Sequence, residues 1–99
     1  MKVDINKTKL ELLIVIDNNK QFNAMKRLLK FYRYKLKKRF EIFLNEKGET
    51  YENRKEILVK CTDELVLNEL VNSLKDSIKE AEAKGLRFKL KLKYIDEGD

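Results

Sequence analysis

Apolar residues in this chain recur with two periods, every second residue or about every 3.6, and the change from one to the other marks out the predicted elements. From Lys9 to Asp17 (KLELLIVID), Leu10, Leu12, Ile14 and Ile16 share one face of a strand. The other face carries Lys9, Glu11, Leu13 and Val15, so the middle is apolar on both sides, which marks a central strand. Asn18 or Asn19 can cap a helix there. From about residue 19 to the mid-thirties, Phe22, Met25, Leu28, Leu29, Phe31, Tyr32 and Leu36 occupy half of a helical wheel. Lys20, Lys26, Arg27, Lys30, Arg33, Lys37 and Lys38 fill the other half. The end of this helix is not marked, because Tyr34, Leu36, Phe40, Ile42 and Leu44 also alternate as a strand would, with no Gly between Arg33 and Arg39.

Arg39 to Asn45 predicts a second strand, and Glu46-Lys47-Gly48-Glu49 a hairpin turn. A third strand is expected from Thr50 to Cys61, strongest at Ile57-Leu58-Val59. Thr62 is the expected cap of a second helix, with Asp63 and Glu64 in its first turn, where the helix dipole favours acids. Leu67, Leu70, Val71, Leu74, Ile78 and Ala81 form its apolar stripe, and Gly85 suits a left-handed residue after its end. Leu86 to Tyr94 alternates throughout, with Leu86, Phe88, Leu90, Leu92 and Tyr94 facing in and Arg87, Lys89, Lys91 and Lys93 facing out. The element order is β-α-β-β-α-β. It matches the ferredoxin-like (split β-α-β) α+β fold: a four-stranded sheet with two helices on one face, or a variant winding of the same elements. One domain is expected over residues 1–99, with its core at 9–95 and frayed termini.

Composition narrows the chemistry. The 99 residues are 42% hydrophobic and 40% charged, too apolar for a disordered chain and richer in charge than most globular domains. High charge with few Cys is one signature of a thermostable protein, which the many Asn and the lack of Pro oppose. There is no His, which removes the usual general base near neutral pH and the commonest nitrogen ligand of zinc. The lone Cys61 can neither close an internal disulfide nor build a zinc cage, and is expected to act as a small hydrophobe. Gly48, Gly85 and Gly98 lie too far apart for a phosphate-binding loop. An ordinary hydrolase or nucleotide-binding enzyme is therefore not expected, and neither is a cofactor. No segment approaches a membrane span or a signal peptide, so the expected location is cytoplasmic.

Charge is segregated along the chain. Asn18 to Phe40 contains nine basic residues and no acid, whereas the whole chain carries +6. On a helix, Lys26, Lys30, Arg33 and Lys37 form a row, with Arg27 and Lys38 beside it, and such a row can track phosphates. Nucleic acid, DNA or RNA, is the first partner this suggests. An acidic host protein or an anionic membrane comes second, the membrane disfavoured because the apolar half of the helix is needed for a core. A merely solvated face is the alternative to all three. Arg87, Lys89, Lys91 and Lys93 form a second basic surface. With both helices on one side of the sheet, Leu13, Val15, Phe43 and Leu58 become an apolar island on the other, which suggests a homodimer. RNA-recognition domains of this topology place stacking aromatics on their central strands, and LELLIVID and KEILVKC contain none.

Two resemblances bear on function. The run LLIVID, then KRLLKFY, then RFEIF resembles the start of the small ferredoxin-fold subunit of the CRISPR adaptation complex. That resemblance implies a metal-dependent nuclease in which Asp17, ending the first strand, pairs with its equivalent across a dimer; Lys38-Arg39 departs from the family's small-residue step. In overall character the chain also resembles small uncharacterised proteins of filamentous and rod-shaped archaeal viruses, of the lipothrixvirus and rudivirus type. This implies a stable, non-enzymatic accessory protein in the host cytoplasm, acting on nucleic acid or on a host factor.

Overall fold

The computed structural model describes residues 1–46, 55–85 and 91–95. In chain order the elements are β1 (Lys2–Asn6), β2 (Glu11–Ile16), α1 (Asn19–Lys35), β3 (Phe40–Glu46), β4 (Lys55–Cys61), α2 (Glu64–Ala83) and β5 (Lys91–Ile95). The hairpin turn expected at 46–49, the start of the expected third strand and the first half of the expected last strand extend outside the described residues.

The protein is α+β, with two helices and a five-stranded mixed sheet in the order β3-β4-β2-β1-β5. The expected sheet had four strands; the fifth is β1, which lies between β2 and β5. It pairs antiparallel with β2 (Val3 opposite Ile14, Ile5 opposite Leu12) and parallel with β5 (Val3 opposite Leu92). The segment before residue 9 is therefore part of the core, with Val3 and Ile5 each 1% exposed. A tight turn at residues 7–10 joins β1 to β2 and shortens the expected first strand, which starts at Glu11. Asn6 shapes this turn by accepting the Lys9 N–H on its side-chain oxygen at 2.9 Å, and Leu10 closes it at φ 57°.

One face of the sheet carries the core. Val3 and Ile5, then Leu12, Ile14 and Ile16, then Ile57 and Val59, and finally Phe40 point to the helices and are buried. Phe22, Met25, Leu29 and Tyr32 of α1 and Val66, Leu67, Leu70, Val71, Leu74 and Ile78 of α2 cover them. The Tyr32 hydroxyl donates to the Ser73 carbonyl at 3.0 Å and also meets the Ser77 hydroxyl, fastening α1 to α2. Tyr94, expected to face in, is instead 53% exposed: it stands on the outermost strand, with the Lys7 ammonium 5.1 Å from its ring centre.

The two helices end in different ways. Asn18 caps α1, its side chain accepting from Lys20 N–H at 2.8 Å and Gln21 N–H at 3.3 Å. At the other end, Lys37 and Lys38 take the left-handed conformation (φ 55° and 58°), and Lys38 N–H reaches back to the Arg33 carbonyl at 2.7 Å. Two lysines thus do what glycine usually does, which is why no Gly marks the change of period. The cap of α2 is Asp63, not Thr62: its carboxylate accepts the Val66 N–H at 2.9 Å. Gly85, at φ 83°, follows α2 as expected.

Candidate anion-binding surface

The cations of the basic segment fall into three groups. Arg33 and Arg39 are held by carboxylates. Arg33 donates from Nε to the Phe40 carbonyl at 3.0 Å and from Nη2 to both oxygens of Glu41 at 3.0 and 3.3 Å. This clamps the end of α1 to the start of β3 across the lysine turn. Arg39 donates to Asp63 at 2.6 Å. Lys26 and Lys35 lie over phenyl rings, Lys26 at 4.7 Å from Phe22 and Lys35 at 5.6 Å from Phe31. The remaining cations, Lys20, Arg27, Lys30, Lys37 and Lys38, are exposed and have no acidic partner among the described residues.

The expected row is therefore altered at two places. Arg33 has its charge engaged, and Lys37 lies beyond the last turn of α1. Lys26, Lys30 and Arg33 do converge, on a cleft of about 210 Å³ between α1 and the edge strand β3, whose remaining lining is Glu41, Ile42 and Leu44. Arg27 and Lys30 face outward from the middle of α1, and Lys37 and Lys38 continue the positive charge past its end. Two aromatic residues stand among them, Phe31 at 54% and Tyr34 at 82% exposure. Phe31 was expected in the core. It lies at the margin of the apolar half-wheel.

The second basic surface is only partly described. Lys91 and Lys93 occupy the open face of the sheet; Arg87 and Lys89 lie outside the described residues. In register, Lys91 is opposite Lys2 and Lys93 opposite Asp4. A carboxylate therefore interrupts that surface, unlike the acid-free α1.

On the same open face, strand register sets Phe43 beside Leu58 and Leu58 beside Leu13, with Val15 two residues along. The expected apolar island is thus a cross-strand row. Flanking it on one side is a row of alternating sign, Glu41, Lys60 and Glu11, and the Lys60 ammonium lies 5.4 Å from the Phe43 ring centre. Phe43 is 50% exposed and Leu13, Val15 and Leu58 are half-buried.

Asp17 is exposed between β2 and α1, and no group of three or more Cys, Asp or Glu among the described residues is placed to hold a metal ion. Cys61, half-buried at the end of β4, has its thiol pKa pushed up to about 11 by burial and, secondarily, by the Asp63 charge. It stays protonated at neutral pH and packs against the core. Among the described residues, no helix is long and apolar enough to cross a membrane. Comparison with protein-family models, curated proteins and solved structures gives no match, so no family's site residues can be carried over to these positions.

Proposed function

We propose that this protein is a non-enzymatic accessory factor that binds a polyanion, nucleic acid first among them, through the outward face of α1 and the lysine turn that follows it. The observation that carries this reading is the cluster of exposed cations, Arg27, Lys30, Lys37 and Lys38, without an acidic partner among the described residues. Such a cluster costs stability. Arg27 and Lys30 are like charges one helical turn apart, and Lys20, also on α1, sits in the first turn, where the helix dipole disfavours a cation. A polyanion relieves both penalties, and each phosphate neutralised releases counterions. A protein of the archaeal-virus type, acting on nucleic acid in a host cytoplasm, fits this reading.

The test is a binding titration of DNA and RNA at two salt concentrations, comparing the wild type with Arg27→Glu/Lys30→Glu, which spares the structural Arg33. Affinity should fall steeply with salt in the wild type, and the double variant should bind more weakly with a shallower salt dependence. Salt-independent binding, or capture of one acidic host protein without nucleic-acid binding, would sink the reading. Mg²⁺-dependent cleavage lost in Asp17→Ala would replace it with the nuclease implied by the CRISPR-subunit resemblance.

A second reading concerns association. The row Phe43, Leu58 and Leu13, bordered by alternating charges, supports a two-fold homodimer through the open sheet face. Phe43→Lys should then lower the mass measured by light scattering from dimer to monomer. A monomeric wild type would end this reading.

A further inference from the structure

The exposed aromatics of α1 were not anticipated from the sequence, and they say something about which polyanion fits. Phe31 and Tyr34 are one helical turn apart on the solvent side. Arg27 precedes Phe31 by four residues and Lys30 precedes Tyr34 by four, so each ring shares its side of the helix with a cation one turn before it. Beyond Tyr34 the track continues in Lys37 and Lys38. The result is a strip in which two rings lie between two pairs of positive charges. A surface made only for phosphates has no use for the rings, and leaving Phe31 half in water forfeits the burial a core would give it.

We infer that this strip binds single-stranded nucleic acid, with Phe31 and Tyr34 stacking on unpaired bases while Arg27, Lys30, Lys37 and Lys38 hold the flanking phosphates; this rests on the polyanion reading above. The distinction from a duplex is physical. Base faces are hidden in a duplex, so the rings can add nothing there. In a single strand every base has a free face, and stacking tolerates any sequence. Side chains one helical turn apart have Cβ atoms about 5–6 Å apart, close enough for neighbouring nucleotides to reach both rings. Lys35, 5.6 Å from the Phe31 ring centre, holds a cation on that ring.

The experiment is fluorescence anisotropy with labelled oligo-dT, oligo-rU and a duplex of equal length at one fixed salt concentration, on wild type, Phe31→Ala/Tyr34→Ala and Arg27→Glu/Lys30→Glu. Circular dichroism establishes that each variant is folded. The wild type is expected to bind at least one single strand roughly tenfold or more tighter than the duplex, and the dT and rU arms show whether DNA or RNA is preferred. Phe31→Ala/Tyr34→Ala should remove that preference while leaving duplex affinity unchanged. The charge variant should weaken all three. Equal wild-type affinity for single strand and duplex, or equal losses on both in the aromatic variant, overturns the stacking inference but leaves the polyanion reading intact. Binding to none of the three overturns both.

Discussion

The two helices pack on the same face of one sheet, and the contrast between them separates what the fold requires from what it leaves free. Each buries an apolar stripe, each begins at a side-chain cap, and each is followed by a left-handed residue. On their outer faces they differ. α2 mixes signs, with Glu64, Glu69, Asp76, Glu80 and Glu82 beside Lys75 and Lys79. α1 has six cations and no acid, and it exposes two aromatic rings. Since α2 packs on the same sheet with mixed signs, the packing does not itself require the one-sign charge of α1, and it is that difference the proposed polyanion binding draws on.

The largest expected effect tests the shared part of the comparison. Leu29→Ala in α1 and Leu70→Ala in α2, both fully buried, should each cost about 2–5 kcal/mol in chemical denaturation. A much smaller loss at Leu29 would mean that α1 is not an equal partner in the core. Next comes the part that differs. Lys75→Glu/Lys79→Glu on α2 changes the net charge as much as Arg27→Glu/Lys30→Glu does on α1. The α1 variant should weaken nucleic-acid binding roughly tenfold or more in a titration at low salt. The α2 variant should change it about twofold at most. Equal losses would show that only net charge matters.

Smaller effects are expected at the helix ends. Gly85→Ala after α2 should cost about 1 kcal/mol, all of it from backbone conformation, because an added Cβ meets nothing within 4 Å. Lys37→Gly after α1 should stabilise by about 0.5–1 kcal/mol, since the strain of a left-handed lysine outweighs the added freedom of the unfolded chain. Thermal denaturation of the two variants without ligand should therefore shift in opposite directions. The smallest effect concerns pH. The Val66 N–H and, after it, the Arg39 charge hold the Asp63 carboxyl below its ordinary value of 3.8. Its contribution is fully present above that value and is lost as pH falls through the lower, folded-state one. Asp63→Asn should flatten that part of an acid denaturation curve, while Asn18, a neutral cap, gives α1 no counterpart.

Both helices, their stripes and the strands at 11–16, 40–46 and 55–61 were legible in the sequence, because each carries enough periods to fix its type. β1 was not. Lys2-Val3-Asp4-Ile5-Asn6 has only two apolar residues, and nothing local says that it pairs with β2 on one side and β5 on the other. For the same reason the strand count and sheet order could not be read. At the candidate surface, the basic character of α1 was plain, but all cations look alike in a sequence. Only the fold shows that Arg33 meets Glu41 and Arg39 meets Asp63, because those partners come from later elements. The wheel placed Phe31 with the core because it counts residues on a face without knowing how much of that face the sheet covers. The left-handed lysines gave no signal, since glycine is the usual mark of that conformation.

The parallel pairing of β1 with β5 has a consequence for the order of events in folding. On this side Lys2 is opposite Lys91, so this is the most distant pairing in the sheet and among the slowest to close. The antiparallel partners of β1, β2, β3 and β4 are all in place much sooner. As the chain leaves the ribosome, β1, which carries Val3 and Ile5, must wait as a bare edge until Ile95 has emerged. A chain stalled in α2 would hold that edge open to any passing strand, and β5 is what closes it.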